Sequence, residues 1–279
     1  MSVPAELAGV RVVASRRAGG GDINEGWAVE LEDRRRAFVK TRPDPPADEY
    51  ELEAAGLRWL DEAGALRVPE VIEAAPSFLA LEWIDGGRLD TAGEEELGRG
   101  LARLHAAGAP AFGLDRPTRI GPLLLPNDPL PGWPEFYAER RLRPLLRAAA
   151  DRGAVGSGGV RAVERVCERL PELAGPAEPP ARLHGDLWSG NVLWDTAGRP
   201  WAIDPAAYGG HREIDLAMLR LFGAPSPRTL AAYAELHPLA DGHERRVPLW
   251  QLFPLLVHAV LFGGSYGASA VQAARRAAA

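Results

Sequence analysis

Arg182-Leu183-His184-Gly185-Asp186-Leu187-Trp188-Ser189-Gly190-Asn191, with the Trp201-Ala202-Ile203-Asp204 that follows, decides how this chain folds. Residues 192–194 are a short apolar run, Asp195-Thr196-Ala197-Gly198 has turn composition, and residues 201–203 are a second apolar run. Two apolar runs around a turn predict a hairpin. Asn191 precedes the first strand and Asp204 follows the second, so antiparallel pairing brings both to the same open end. Asp186 lies five residues before Asn191, on the loop feeding the hairpin. Two carboxylates and an amide oxygen therefore converge. That set suits a general base beside two ligands for a hard cation, because magnesium takes oxygen ligands and is shared between a carboxylate or two and substrate phosphates. The plain alternative is a surface hairpin whose Asp and Asn only shape turns. Asp-x4-Asn spacing alone does not displace it; the full string, with His184-Gly185 before the Asp, does.

The spacing matches a kinase catalytic loop, and an Asp after a hairpin matches the kinase magnesium ligand. Composition describes an ordinary globular protein. The chain has 279 residues, 46% hydrophobic and 25% charged, enough for one large or two modest globular units. A net charge of −6 gives no general footprint for nucleic acid or an anionic membrane. The single cysteine, Cys167, excludes an intrachain disulfide framework, and no zinc-type spacing occurs. The first 13 residues lack a signal pattern, and the apolar run 252–262 is too short to span a bilayer. A cytoplasmic enzyme that binds no membrane and no nucleic acid is expected.

Of 32 basic residues, only Lys40 is lysine. Arginine does not replace lysine where a compact point charge on a slim stem must meet phosphate. Lys40 ends Ala37-Phe38-Val39-Lys40, an apolar run like the third strand of a kinase small lobe. Upstream, residues 10–14 and 27–31 read as strands around Gly19-Gly20-Gly21-Asp22-Ile23-Asn24. Glycines there let backbone amides approach phosphates, with Gly20 and Gly21 the candidate contacts; a plain hairpin loop has the same composition. Residues 48–62 read as a helix with Glu53, Leu57 and Leu60 on one face. A carboxylate on an apolar face needs a partner, and Lys40 is the candidate; the alternative is a solvated Glu53 at the edge of that face. Residues 68–72 and 78–84 read as further strands ending at Asp85-Gly86-Gly87. The backbone of Glu82, Trp83 and Ile84 could bond an adenine edge, or simply end a strand between domains.

Five strands and one helix thus make a small lobe over 1–87, followed by a mainly helical lobe over 88–279. Thr91-Ala92-Gly93-Glu94 has a capping-box pattern ahead of a helix carrying Leu97, Leu101 and Leu104. His105 near its end reads as structural. A Pro/Gly-rich loop over 109–134 is followed by helices over 135–150 and 160–170 and an apolar helix over 247–263. Asp215 opens a helical run, as an N-cap, as a support for the catalytic-loop backbone, or as both. His258 is either a core histidine or a substrate contact.

The chain resembles the fructosamine-3-kinase (ketosamine kinase) family, within the α+β protein-kinase-like, aminoglycoside-phosphotransferase-like fold. The resemblance is carried by residues 183–191, by Ile203-Asp204-Pro205-Ala206, and by Tyr208-Gly209-Gly210-His211-Arg212-Glu213-Ile214-Asp215 onward to Phe222-Gly223. It extends through Phe112-Gly113-Leu114-Asp115, Ile120-Gly121, Asn127, Trp133, Phe136-Tyr137, Arg140-Arg141-Leu142, His258-Ala259 and Phe262-Gly263-Gly264 with Tyr266. The His-Gly-Asp-x4-Asn core is shared with aminoglycoside, choline and homoserine kinases; the Leu-Trp-Ser-Gly insert, Asp-Pro-Ala and Gly-His-Arg-Glu-x-Asp are more specific. The resemblance implies ATP and Mg2+ as cofactors and Asp186 as the base for the substrate hydroxyl. It makes Asn191 and Asp204 the metal ligands, Lys40 the phosphate-binding lysine with Glu53 its partner, and residues 82–84 the hinge. Trp188 would stack on the sugar, and His184 with Asp215 would support the catalytic loop. The implied reaction phosphorylates the 3-hydroxyl of a free or protein-bound ketosamine, giving an unstable product that releases the amine and so repairs glycation. Asp22 stands where some relatives carry a cysteine, so no thiol switch or disulfide-linked dimer is expected, and the chain is expected to be a monomer. The alternatives are another small-molecule kinase of this fold or a nucleotide-binding pseudokinase, the latter disfavoured because Lys40, Asp186, Asn191 and Asp204 are all present. The segments expected to face the acceptor are 188–189, 208–211 and 258–266.

Overall fold

The structure is a computed structural model that describes residues 3–19, 24–221 and 226–279. The small lobe is an antiparallel sheet in the order β1-β2-β3-β4-β6-β5. Its strands are β1 (Glu6–Leu7), β2 (Val10–Arg17), β3 (Glu25–Leu31), β4 (Arg36–Thr41), β5 (Val71–Ala75) and β6 (Phe78–Glu82). β1 adds a strand to the five expected. β5 starts later than expected, at Val71, because Pro69 has no N–H to give a ladder. Val29, Leu31, Ala37, Val39 and Ala80 fill the core of the sheet. Helix α1 (Glu49–Asp61) crosses from β4 to β5.

α1 belongs to both lobes. Tyr50, Ala54, Leu57 and Leu60 are buried with Leu101, Leu187, Val192 and Leu216 of the large lobe in one continuous cluster. Each of these leucines contributes about 1.5–3 kcal/mol of burial. Gly56 faces the Pro205 ring, where an added Cβ would lie 3.5 Å from Cγ. The helix is thereby packed against the residues just after Asp204.

The large lobe begins at α2 (Thr91–Ala106). Its cap is Asp90 rather than the expected Thr91: Asp90 is extended, and its carboxylate accepts the Gly93 N–H at 2.7 Å. The segment expected as a loop over 109–134 contains a small hairpin, β7 (Thr118–Ile120) with β8 (Leu123–Leu125). Next come α3 (Trp133–Phe136), a π-helical turn (Tyr137–Leu142) and α4 (Arg143–Asp151), which replace one uniform helix. The Tyr137 hydroxyl donates to Leu249 O at 2.9 Å and lies 3.3 Å from Trp250 O, the carbonyl that Pro254 cannot reach for lack of an N–H. α5 (Ser157–Leu173), α6 (Glu213–Leu219), α7 (Pro227–Leu236), α8 (His243–Phe262) and α9 (Tyr266–Ala277) complete the helical frame. Among the described residues, no helix is long and apolar enough to cross a membrane.

Short strands interrupt this frame. β9 (Ala181–Leu183) pairs with β12 (Tyr208–Gly210), and β10 (Val192–Trp194) pairs with β11 (Pro200–Ala202) in the register Val192 to Ala202. The β10–β11 hairpin is the one expected.

Candidate active site

The hairpin's open end is closed by one further bond, from Ile203 N to Asn191 O at 3.0 Å, so Asn191 and Asp204 lie side by side as the spacing predicts. Asn191 Nδ2 donates to Asp186 O at 2.8 Å and approaches Asp186 Oδ2 at 3.3 Å, leaving the amide oxygen for a cation. Asp204 has φ +56°, uncommon for a residue with a Cβ, and such strain clusters where function requires it. Lys40 is buried, and its Nζ donates to Glu53 Oε1 and to Asp204 Oδ1, both at 2.7 Å. The carboxylate on the α1 face therefore has the partner it needs and is not a solvated edge residue.

Burial opposes a charge on Lys40, but Asp204 and Glu53 outweigh it and hold the ammonium well above its ordinary range. Burial, with Asp204 adding to it, pushes Glu53 upward against the pull of Lys40. Asp186 is pushed up to about 7, first by burial and then by the Asp204 charge, while Asn191 and Lys40 pull it back. A carboxyl poised near neutrality is suited to general-base work.

Asp215 is fully buried within α6 and does not cap that helix. Its carboxylate accepts the His184 N–H at 2.8 Å and the Gly185 N–H at 3.0 Å, so it holds the backbone just before Asp186. The His105 Nε2 approaches it at 3.3 Å, and His105 Nδ1 meets the Tyr233 hydroxyl at 2.9 Å. His184 Nε2 donates to Ile203 O at 2.9 Å, which leaves Nδ1 to accept from Asp186 N at 3.3 Å. One imidazole thus ties the loop carrying Asp186 to the strand leading into Asp204. Gly185 is required: it has φ +82°, and an added Cβ would lie 2.0 Å from Ala206 O.

A cleft of about 880 Å³ lies between the lobes over this centre. Glu82, Trp83 and Ile84 line it at the link between lobes. The Glu82 N–H is committed to Glu70 O at 2.8 Å, so Trp83 and Ile84 are the candidate donors to a bound base. Gly19, the first of the three consecutive glycines, lines the cleft; Gly20 and Gly21 lie outside the described residues. Trp188 and His258 both reach the cleft. An added Cβ on Gly190 would meet the Trp188 indole at 2.2 Å, so the glycine makes room for the ring. His258 Nδ1 donates to Pro254 O at 2.7 Å, and its ring packs against Tyr266 at 5.0 Å and Phe262 at 5.5 Å. It is anchored within the lobe and lines the cleft as well. Burial lowers its pKa.

The segment 208–211 does not line the cleft. All four residues are buried, with Tyr208 to Gly210 paired to β9 and His211 stacked on Trp250 at 5.0 Å. The glycines there admit close backbone contact, with an added Cβ on Gly209 only 2.0 Å from Ala111 O. Conversely, the β7–β8 hairpin contributes Thr118, Arg119, Ile120 and Gly121 to the cleft wall. The Gly121-Pro122 turn signal between Thr118-Arg119-Ile120 and the apolar Leu123-Leu124-Leu125 was the available sign of it.

Comparison with known proteins shows the family. Residues 4–278 match the model of the fructosamine kinase family. The chain belongs to that family. An Enterococcus faecium protein named "Probable ketoamine kinase" is 35% identical over 91% of each chain. A Thermobifida fusca structure with the provisional name fructosamine-3-kinase is 47% identical, with a TM-score of 0.93 over 98% of this chain and 96% of that one. The macrolide 2'-phosphotransferase MphH of Brachybacterium faecium, at 17% identity and a TM-score of 0.62 over 95% and 94%, shares the fold alone. The protein is a kinase with the bilobal α+β phosphotransferase architecture.

Proposed function

We propose that this kinase transfers the ATP γ-phosphoryl group to the 3-hydroxyl of a ketosamine, a fructosamine or ribulosamine, as a deglycation step. The observation that carries the reading is the convergence of Asp186, Asn191, Asp204 and Lys40 at one end of the β10–β11 hairpin, under a cleft walled by Trp188. Residues 1–87 hold the nucleotide and residues 88–279 supply the catalytic loop and the acceptor wall. Asp186 accepts the hydroxyl proton and orients that oxygen for attack. Asp215 and His184 hold the loop so that the carboxylate does not wander, since positioning is most of phosphoryl-transfer catalysis. Lys40 meets the phosphates, and Glu53 keeps it extended across the cleft. Trp83 and Ile84 receive the adenine edge.

Magnesium fits the donor set. Among the described residues no group of three His, Cys, Asp or Glu side chains is arranged to hold an ion unaided. A carboxylate and an amide oxygen that share the ion with phosphate are the usual alternative. Asn191 and Asp204 would hold it, and when bound it neutralises charge on the phosphates.

The acceptor wall supports a sugar. Trp188, Val257, His258, Leu261, Phe262 and Tyr266 contribute aromatic, imidazole and aliphatic surface and no carboxylate. The carboxylates that do line the cleft include Glu49 and Glu53, which face Arg42 and Lys40. Sugars stack on indoles through their C–H faces and are held by a few polar tips. Trp188 and Phe262 are 37% and 49% exposed, so the mouth could admit an amine borne on a protein side chain. Phosphorus-31 NMR of a reaction with a ribulosamine and ATP tests the reading. A phosphomonoester at C3, followed by release of free amine, is expected; phosphate on another hydroxyl would overturn it.

A further inference from the structure

We infer that Arg119 and Asp48 form a clasp between the lobes that positions the first turn of α1, and through it the Glu53–Lys40 pair. Asp48 is the N-cap of α1, yet its side chain makes no bond to its own helix. An Asp at that position ordinarily accepts from the second or third helical N–H. Here its Oδ1 instead takes Arg119 Nε at 2.9 Å and lies 2.8 Å from Arg119 Nη2. Arg119 comes from the other lobe. Its strand, β7, is anchored in the large-lobe core by Ile120, and β8 is anchored there by Leu125. The guanidinium is also braced by its own turn, with Nη1 donating to Pro122 O at 3.4 Å. The Arg119 side chain is only 14% exposed, so it is held where it stands.

The location makes the clasp consequential. The later turns of α1 are already fixed by Leu57, Leu60 and the Gly56–Pro205 contact. The first turn faces the cleft; besides the buried Tyr50 ring, it is held by three polar ties: Tyr50 hydroxyl to Asn24 Oδ1 at 3.4 Å, Arg42 to Glu49 at 3.2 Å, and the Arg119–Asp48 pair. Of these three, the Arg119 tie alone crosses from the large lobe. Glu53 follows Asp48 by five residues, so a shift of that turn is delivered to the carboxylate that holds Lys40. Arg119 is thus a positioning residue: it acts on the phosphate-binding lysine through α1.

The test uses the full chain and needs no acceptor, so it is independent of the ketosamine assignment. Affinity for ATP with magnesium is measured by fluorescent-nucleotide competition, alongside amide exchange in residues 49–54 and the melting temperature. Arg119→Gln and Asp48→Asn are each expected to weaken nucleotide affinity about fivefold, the upper range for one partly exposed ion pair, with little change in Tm. Exchange in the first turn should rise about tenfold, as local opening becomes easier. The two substitutions together should cost no more than either alone, and the charge swap Asp48→Arg with Arg119→Asp should recover most of the loss. Wild-type affinity and exchange in the single variants would overturn the inference. So would additive losses, or a swap no better than the singles, since Arg119 would then be touching the nucleotide itself.

Discussion

Replacing Asp215 by Asn tests the support of the catalytic loop most severely. The substitution preserves shape and removes one acceptor. In the native protein one carboxylate serves two backbone donors, His184 N at 2.8 Å and Gly185 N at 3.0 Å, with the His105 Nε2 at 3.3 Å. The group is fully buried, and its donors hold its pKa below the ordinary carboxylate value even though burial alone would raise it. An asparagine offers one oxygen, so at least one donor must face an NH2 group. Hydrogen bonds to a charged group are each worth about 1.5–3 kcal/mol, and an orphaned buried donor costs about 1–3 more. The expected loss is therefore about 3–5 kcal/mol, a large part of the ~5–15 kcal/mol that holds a typical domain. Urea unfolding would read it as a lowered midpoint. Under conditions where the variant stays folded, kcat should fall about 100-fold, because an ångström of displacement at Asp186 is costly. A loss below about 1 kcal/mol with kcat within twofold of wild type would refute the reasoning, whatever the cause.

Asp186→Asn should lower kcat by ~10²–10⁴ while leaving ATP affinity intact, as ADP release and nucleotide titration would show. It should also raise stability at pH 8 by about 1–3 kcal/mol: the native pKa near 7 lies above the unfolded value, so Asp186 costs stability as pH rises through that window. The gain should shrink between pH 7 and 4, and a gain independent of pH would remove the titration argument. Asp204→Asn should raise the magnesium requirement, and exposed Asp61→Asn should not; magnesium titrations that coincide would contradict the ligand role. Asp195→Asn should instead lower the thermal midpoint, because its carboxylate accepts Ala197 N, Arg199 N, Arg199 Nε and Trp201 Nε1; an unchanged midpoint would contradict that role. Trp188→Ala should raise the acceptor KM about tenfold with ATP affinity unchanged, and unaltered acceptor kinetics would remove the indole from the acceptor wall.

The open end of the hairpin was legible because period and punctuation coincide there: two apolar runs, a four-residue turn between them, and Asn191 and Asp204 just outside the runs. Lys40 and Glu53 were legible for a different reason, since an isolated lysine and a carboxylate on an apolar face each demand an explanation. What escaped the sequence depended on contacts distant along the chain. Residues 208–211 were expected to face the acceptor, yet the glycines serve close packing against Ala111 and β9. Asp195 read as a turn residue, and its four acceptor bonds appear only once Arg199 and Trp201 fold back over it. The β7–β8 hairpin was hidden by the prolines around it, and Arg119 with it. Asp90 took the cap from Thr91 through a one-residue offset, which periodicity does not resolve.

The central claim is that the acceptor is a ketosamine. The most direct measurement is kcat/KM for a ribulosamine and for an aminoglycoside under identical ATP and magnesium. A polycation needs several carboxylates on the acceptor wall, each worth a sizeable share of its binding, and beyond Asp186 and Asp204 the wall formed by Trp188, Val257, His258, Leu261, Phe262 and Tyr266 supplies none. The account predicts a ratio of at least about 100 in favour of the ribulosamine. Equal values, or a preference for the aminoglycoside, would contradict it.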